Sequence, residues 1–327
     1  MDVHLALYRL AERYQLDADG AAALHRVAGI EREPGLLAPR LRFGIGVLAA
    51  ALGGFGLIFW IAANWDTFGR FGRFALLQVF FLAMCAGALW RPAARQPLAL
   101  LALLAIGALF AYFGQTYQTG ADPWQLFAVW AVLALPLCLA ARSDALWAPW
   151  ALVALTGVAL CLYAHSGRRW EVQTSELGPH ALAWGGALAL TFALAPPLRR
   201  FTGAGPWALR TALLLTILLF LVTGIGTLLN KEIALQYWLA LALLAGAAVM
   251  LATPRFDDIF GLSAVGLALN VLLVGGLSHL LLEGNNNSNE LILRLLLLGV
   301  VAACLLGWTA RWILRHWRRA NGLREPA

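Results

Sequence analysis

The stretch Trp207–Leu229 reads WALRTALLLTILLFLVTGIGTLL, and its one charged side chain, Arg210, stands in the first turn. A helix that crosses a bilayer takes about 20 residues, mostly apolar, and a charge at mid-depth is costly. Leucine, isoleucine, phenylalanine and valine occupy every side of this segment, so a helix here has no aqueous face. It reads as a membrane-spanning helix.

Working outward, the same pattern recurs along the chain. Apolar runs predict helices at 44–64, 71–90, 97–114, 124–141, 145–163, 180–198, 207–229, 233–251, 258–281 and 291–312. Short loops and Pro149 blur the ends of the third and fifth. Of the 327 residues, 61% are hydrophobic and 13% charged, about half the charged share of a soluble domain. Ten spans consume roughly 200 residues, close to the apolar content. The expected fold class is all-α: a polytopic transmembrane bundle of about ten helices, with the membrane domain over 44–312. A soluble enzyme, a disordered regulator and a disulfide-stapled secreted module are excluded.

Residues 1–43 stand apart. Leu5, Leu7, Leu10 and Tyr14 recur near helical spacing, with Arg9, Glu12 and Arg13 between them. Asp17 is positioned as the N-cap of a second helix containing Ala21, Leu24, Val27 and Ile30. Gly29 and Pro34-Gly35 close it. The segment reads as a cytoplasmic helical hairpin, and without an apolar core it is no cleavable signal, so the first span acts as the insertion signal. At the other end, 313–327 is a basic tail, and Arg311–Arg319 with Trp312 and Trp317 resembles an interfacial anchor.

The net charge of +7 would suggest nucleic acid in a soluble protein, but here the arginines sit in short loops between apolar runs, so no nucleic-acid partner is expected. Only Lys231 among the 24 basic residues is lysine, which with abundant Ala, Leu and Gly points to a bacterial chain. Six basic residues (Arg70, Arg73, Arg168, Arg169, Lys231, Arg294) fall on one set of alternate loops and the other 18 on the opposite set, which holds both termini. The excess places both termini in the cytoplasm and the chain in the inner membrane, with the lipid bilayer as its first partner. The expected role is to bind a partner protein or a lipid-like or small neutral ligand at the extracytoplasmic face; the alternative, since ten helices with both ends inside divide as five plus five, is an inverted-repeat transporter for a small neutral or amphipathic solute.

Chemistry is sparse. No charge lies at mid-depth: Asp257 and Asp258 sit at the entry of the ninth helix, Glu283 and Arg294 near the outer ends of the last two. The mid-depth polar residues are neutral, namely Asn270, Gln78, Thr156, Thr191 and Thr223. Asn270 is expected to make an interhelical hydrogen bond worth about 1 kcal/mol. Charge-coupled transport is disfavoured. Cys85, Cys138, Cys161 and Cys304 lie within apolar runs as packing residues. His165 and His180 flank a loop carrying Glu171 and Glu176, but the spacing matches no zinc pattern, and His279 ends an apolar helix. With no Ser-His-Asp set, P-loop or dinucleotide fingerprint, the reading assigns no catalytic residue, no metal and no cofactor.

The distinctive pattern lies at the outer ends of the first, third and fourth spans. The first ends Phe59-Trp60-Ile61-Ala62-Ala63-Asn64-Trp65-Asp66, and the third runs into Gly114-Gln115-Thr116-Tyr117-Gln118-Thr119-Gly120-Ala121-Asp122-Pro123-Trp124. Part of this is an aromatic belt with a helix cap, Asp122 preceding Pro123. Asn64, Gln115 and Tyr117 go beyond that. They are expected to satisfy the loop backbone, with Trp65 and Trp124 walling an apolar recess. Asn64, Trp65, Gln115, Tyr117, Asp122 and Trp124 are therefore the candidate ligand-binding or loop-organising residues.

The segments Ile61-Ala62-Ala63-Asn64-Trp65, Gly114-Gln115-Thr116-Tyr117 and Gly120-Ala121-Asp122-Pro123-Trp124-Gln125-Leu126-Phe127 resemble the DUF2157 family of predicted bacterial membrane proteins, over roughly residues 1–160. The resemblance implies a multi-pass inner-membrane protein and carries over no catalytic residues. It also implies partners, another polytopic protein and a small membrane-anchored extracytoplasmic protein.

Overall fold

A computed structural model describes residues 3–28, 37–63, 69–117, 120, 122–167, 171–253, 258–282 and 288–320. Among them are thirteen α-helices and no strand. The chain divides into two compact units, Met1–Leu52 and Gly53–Ala327.

In the first unit, α1 (Val3–Arg13) and α2 (Ala18–Val27) pack on each other. Asp17 caps α2, its carboxylate accepting from the Gly20 amide at 2.8 Å. The Pro34-Gly35 stop lies outside the described residues. Helix α3 (Leu37–Ala63) begins earlier than the expected 44. Arginine is a good helix former and proline is tolerated in a first turn, so Pro39, Arg40 and Arg42 extend the helix beyond its apolar part.

The second unit holds α4 (Arg70–Trp90), α5 (Arg95–Tyr117), α6 (Pro123–Ala141), α7 (Asp144–His165) and α8 (Leu177–Ala193). There follow a short α9 (Arg199–Thr202), α10 (Pro206–Thr227), α11 (Leu235–Leu251), α12 (Ile259–Leu282) and α13 (Ser288–Ala320). Among the described residues, seven helices are long and apolar enough to cross a membrane, or eight if α8 and the bent segment Pro196–Thr202 form one span. The apolar parts of α3 and α11 are shorter, Leu41–Leu57 and Leu235–Leu251. An apolar helix thus occurs at each of the ten expected places. The chain is an all-α, multi-pass integral membrane protein.

Helices α7 and α10 form the centre. Helix α7 packs on α5, α6, α8 and α10, and α10 on α7, α8, α11 and α12. Half of the most apolar stretch of each is buried, whereas no residue in that of α13, which packs on α12, is fully buried. Small residues permit the closest approaches: a Cβ on Gly157 of α7 would stand 3.2 Å from that of Phe127 on α6. A second device recurs. The Trp130 indole of α6 lies across Gly107 of α5 and donates to the Leu103 carbonyl at 3.0 Å. The Tyr237 hydroxyl of α11 lies against Gly276 of α12 and donates to the Leu272 carbonyl at 2.8 Å. In both, a glycine four residues past the accepting carbonyl leaves room for the aromatic ring.

Polar side chains at depth bond between helices. The hydroxyls of Thr191 and Thr216 lie 2.8 Å apart and join α8 to α10. Asn270 accepts from the Thr309 hydroxyl at 3.2 Å and joins α12 to α13. Replacing either partner, Asn270→Leu or Thr309→Val, is expected to cost about 1 kcal/mol. In detergent unfolding, the double variant should cost no more than the worse single one.

Candidate functional site

Two ends of the bundle are built by different chemistry. At the arginine-rich end, Asp144 opens α7 directly beneath the start of α10. Its carboxylate accepts from the amides of Gly205, Trp207 and Ala208 at 2.6, 3.1 and 3.2 Å. These are first-turn donors that lack intrahelical partners, and the negative charge suits the positive end of the α10 dipole. The Trp147 indole donates to the Thr202 carbonyl at 2.8 Å, and the Arg142 guanidinium donates to the Arg200 carbonyl. Gly203, at φ +68°, sits tight against the Arg142 backbone and side chain, a place only glycine fits. Asp258 caps α12 and pairs with Arg210 at 2.8 Å. Asp257 lies outside the described residues.

At the opposite end, the connection between α7 and α8 crosses to the connection between α10 and α11 and is fastened there. The Val172 amide donates to the Gly226 carbonyl at 3.3 Å, and the Asn230 amide group donates to the Val172 carbonyl at 2.8 Å. Gln236, fully buried, donates to the Gln173 carbonyl at 2.7 Å. This strap borders one end of a cavity of about 350 Å³ that opens at the bundle surface between α7, α8 and α10. Its walls are aliphatic: Leu155, Leu160, Leu215, Leu218, Leu219 and Val222. Polar groups also line it, namely Ser166, Glu176 and His180 near the strap, with Tyr163, Thr156 and Thr223. His180 is 2% exposed and its Nδ1 lies 2.8 Å from the Glu176 carbonyl oxygen, so the ring is held in one orientation. The Thr223 hydroxyl donates to the Leu219 carbonyl at 2.9 Å. An apolar chamber with a few fixed polar groups is the general form of a small-ligand site.

The six residues singled out in the sequence are placed as follows. Asn64 and Trp65 lie outside the described residues. Gln115 and Tyr117 belong to the last turn of α5, which runs three residues beyond the expected end at Gly114; the chain turns instead at Gly120, where φ is +66°. Gln115 is exposed there. Tyr117 joins a ring cluster with Phe113 at 4.8 Å and Phe74 at 6.0 Å, and the Arg70 guanidinium stands 5.9 Å over it. Asp122 takes the N-cap position of α6 with Pro123 first in the helix. Trp124 packs edge-on against His165 at 6.0 Å. Tyr117 and Trp124 thus rest on different neighbours, α4 and α7.

His180 and Glu176 drew notice in the sequence only as loop groups with the wrong spacing for zinc. Among the described residues no group of three or more His, Cys, Asp or Glu side chains is placed to hold a metal ion. The signal that marks them is their spacing: four residues apart at a helix start, they share one face. Asp144, Asn230 and Gln236 carry no comparable sequence signal, because their partners are backbone groups about 60 residues away.

Residues 8–147 match the model of the family DUF2157, described as a predicted membrane protein. No curated protein and no solved structure matches the chain. The matched stretch runs from within α1 to the first turn of α7; the cavity lies in the part of the chain beyond it.

Proposed function

We propose that this integral membrane protein binds a lipid-like amphiphile in the cavity between α7, α8 and α10. The chain sits in a bacterial inner membrane with both termini cytoplasmic, so the strap lies at the extracytoplasmic face. The arginine distribution supports that orientation. The observation that carries the binding role is the cavity itself, with aliphatic walls and a polar end built around the buried His180. An acyl chain fits the walls, and its headgroup meets Glu176, His180 and Ser166. The His180 ring is held through Nδ1 by the Glu176 carbonyl, and the reading is of a binding protein.

The test is purification in mild detergent followed by mass spectrometry of extracted lipids. Wild-type protein should retain a stoichiometric amphiphile. Ala159→Trp and Val222→Trp, each filling the cavity from a different wall, should lose it while remaining folded and monodisperse. Equal lipid content in wild type and both variants would refute the proposal.

A further inference from the structure

The polar end of the cavity is rich in acceptors and poor in donors. Glu176 is an acceptor when ionised, and the Gln173 amide, at 3.5 Å, occupies only part of its capacity. The Thr223 hydroxyl spends its proton on the Leu219 carbonyl and offers lone pairs. With Nδ1–H donating to the Glu176 carbonyl, a neutral His180 ring offers Nε2 as an acceptor. Among the described residues, no lysine or arginine lines the cavity.

We infer that the amphiphile carries a protonated amine as its headgroup, held by Glu176. This rests on the cavity being the binding site, as proposed above. A phosphate or carboxylate head would bring a second negative charge beside Glu176, and the described lining residues hold no counter-charge. A neutral alcohol can be satisfied by Ser166 alone and leaves the carboxylate uncompensated. An ammonium brings three donors and a positive charge, which the carboxylate, the imidazole Nε2 and the Thr223 oxygen can receive. The aliphatic walls take its chain.

Three probes with the same chain separate these heads: decylammonium, decanol and decyl phosphate, each added to the full-length protein in maltoside detergent at neutral pH. Adducts are counted by native mass spectrometry, and the thermal midpoint is followed in parallel. Decylammonium should bind and raise the midpoint, with decanol weaker and decyl phosphate weakest. Glu176→Gln should weaken decylammonium by about tenfold or more, the effect of losing one charge-assisted contact. Glu171→Gln, at an exposed position outside the lining, should not. Thr223→Val tests the same headgroup independently of whether the Glu176 variant folds, and should weaken decylammonium several-fold. If decyl phosphate or decanol binds as tightly as decylammonium, or if Glu176→Gln folds and leaves decylammonium binding unchanged, the headgroup assignment is overturned. The cavity reading survives that result provided Ala159→Trp still abolishes binding of all three probes. If neither Ala159→Trp nor Val222→Trp affects any probe, both the headgroup and the cavity are overturned.

Discussion

Asp144→Ala should lower stability by about 2 kcal/mol, at the upper end of what a helix cap contributes. One carboxylate serves three amides of α10, the helix that touches α7, α8, α11 and α12. Without it, three first-turn donors lose their acceptor and the helix dipole its compensating charge. Gly205 lies so close to the Asp144 carboxylate that a Cβ there would overlap it. Asp144→Asn, which keeps an acceptor but not the charge, should lose less. Thermal unfolding of the purified protein reads both. An unchanged midpoint for Asp144→Ala would mean that water or a neighbouring side chain replaces the cap.

Gly276→Ala should be costly for a different reason. A Cβ at that position would overlap the Tyr237 hydroxyl and stand 2.9 Å from Cζ, so α11 and α12 must separate or the ring must leave its place. Overpacking of this kind typically costs about 1–3 kcal/mol, and the hydrogen bond to the Leu272 carbonyl is lost as well. Tyr237→Phe alone removes only that bond, which should cost about 1 kcal/mol or less. It also removes the atom that the new methyl group of Gly276→Ala would strike. The double variant Tyr237→Phe/Gly276→Ala should therefore be more stable than the sum of the single effects predicts. Additive effects would show that hydroxyl and glycine are not coupled.

The spans were readable because lipid imposes one requirement: an apolar run that satisfies its own backbone. Each apolar run holds an α-helix, and among the described residues seven are long and apolar enough to span, or eight with the bent pair. The ends were less readable, since apolarity marks what lies in hydrocarbon and not where hydrogen bonding stops. Helix α13 runs to Ala320, through the expected tail boundary at 313, because arginine and tryptophan leave the bilayer without leaving the helix. Pro149 blurs the start of α7 in sequence yet lies inside it, at the cost of the bond its missing amide would make to the Ala145 carbonyl. Gly114 reads as a breaker but is a packing site: a Cβ there would stand 3.2 Å from Leu126 of α6.

The candidate site was half legible for a related reason. Glu176 and His180 could be seen as a pair, but Ser166 and Thr223 join them only through the packing of α7, α8 and α10. The strap is fastened to main-chain carbonyls, which every residue has and no pattern reveals. The conspicuous motif from Asn64 to Trp124 attracts attention by its composition. Tyr117 lies in an aromatic cluster and Asp122 at the N-cap position of α6.

The central claim is that the chamber between α7, α8 and α10 holds an amphiphile. The most direct measurement is a cryo-electron microscopy map of the protein extracted with its native lipids into nanodiscs. The account predicts elongated density among Leu155, Leu160, Leu218 and Val222, ending in a headgroup beside Glu176 and His180. A well-ordered map in which those side chains close on one another and leave no chamber would contradict it.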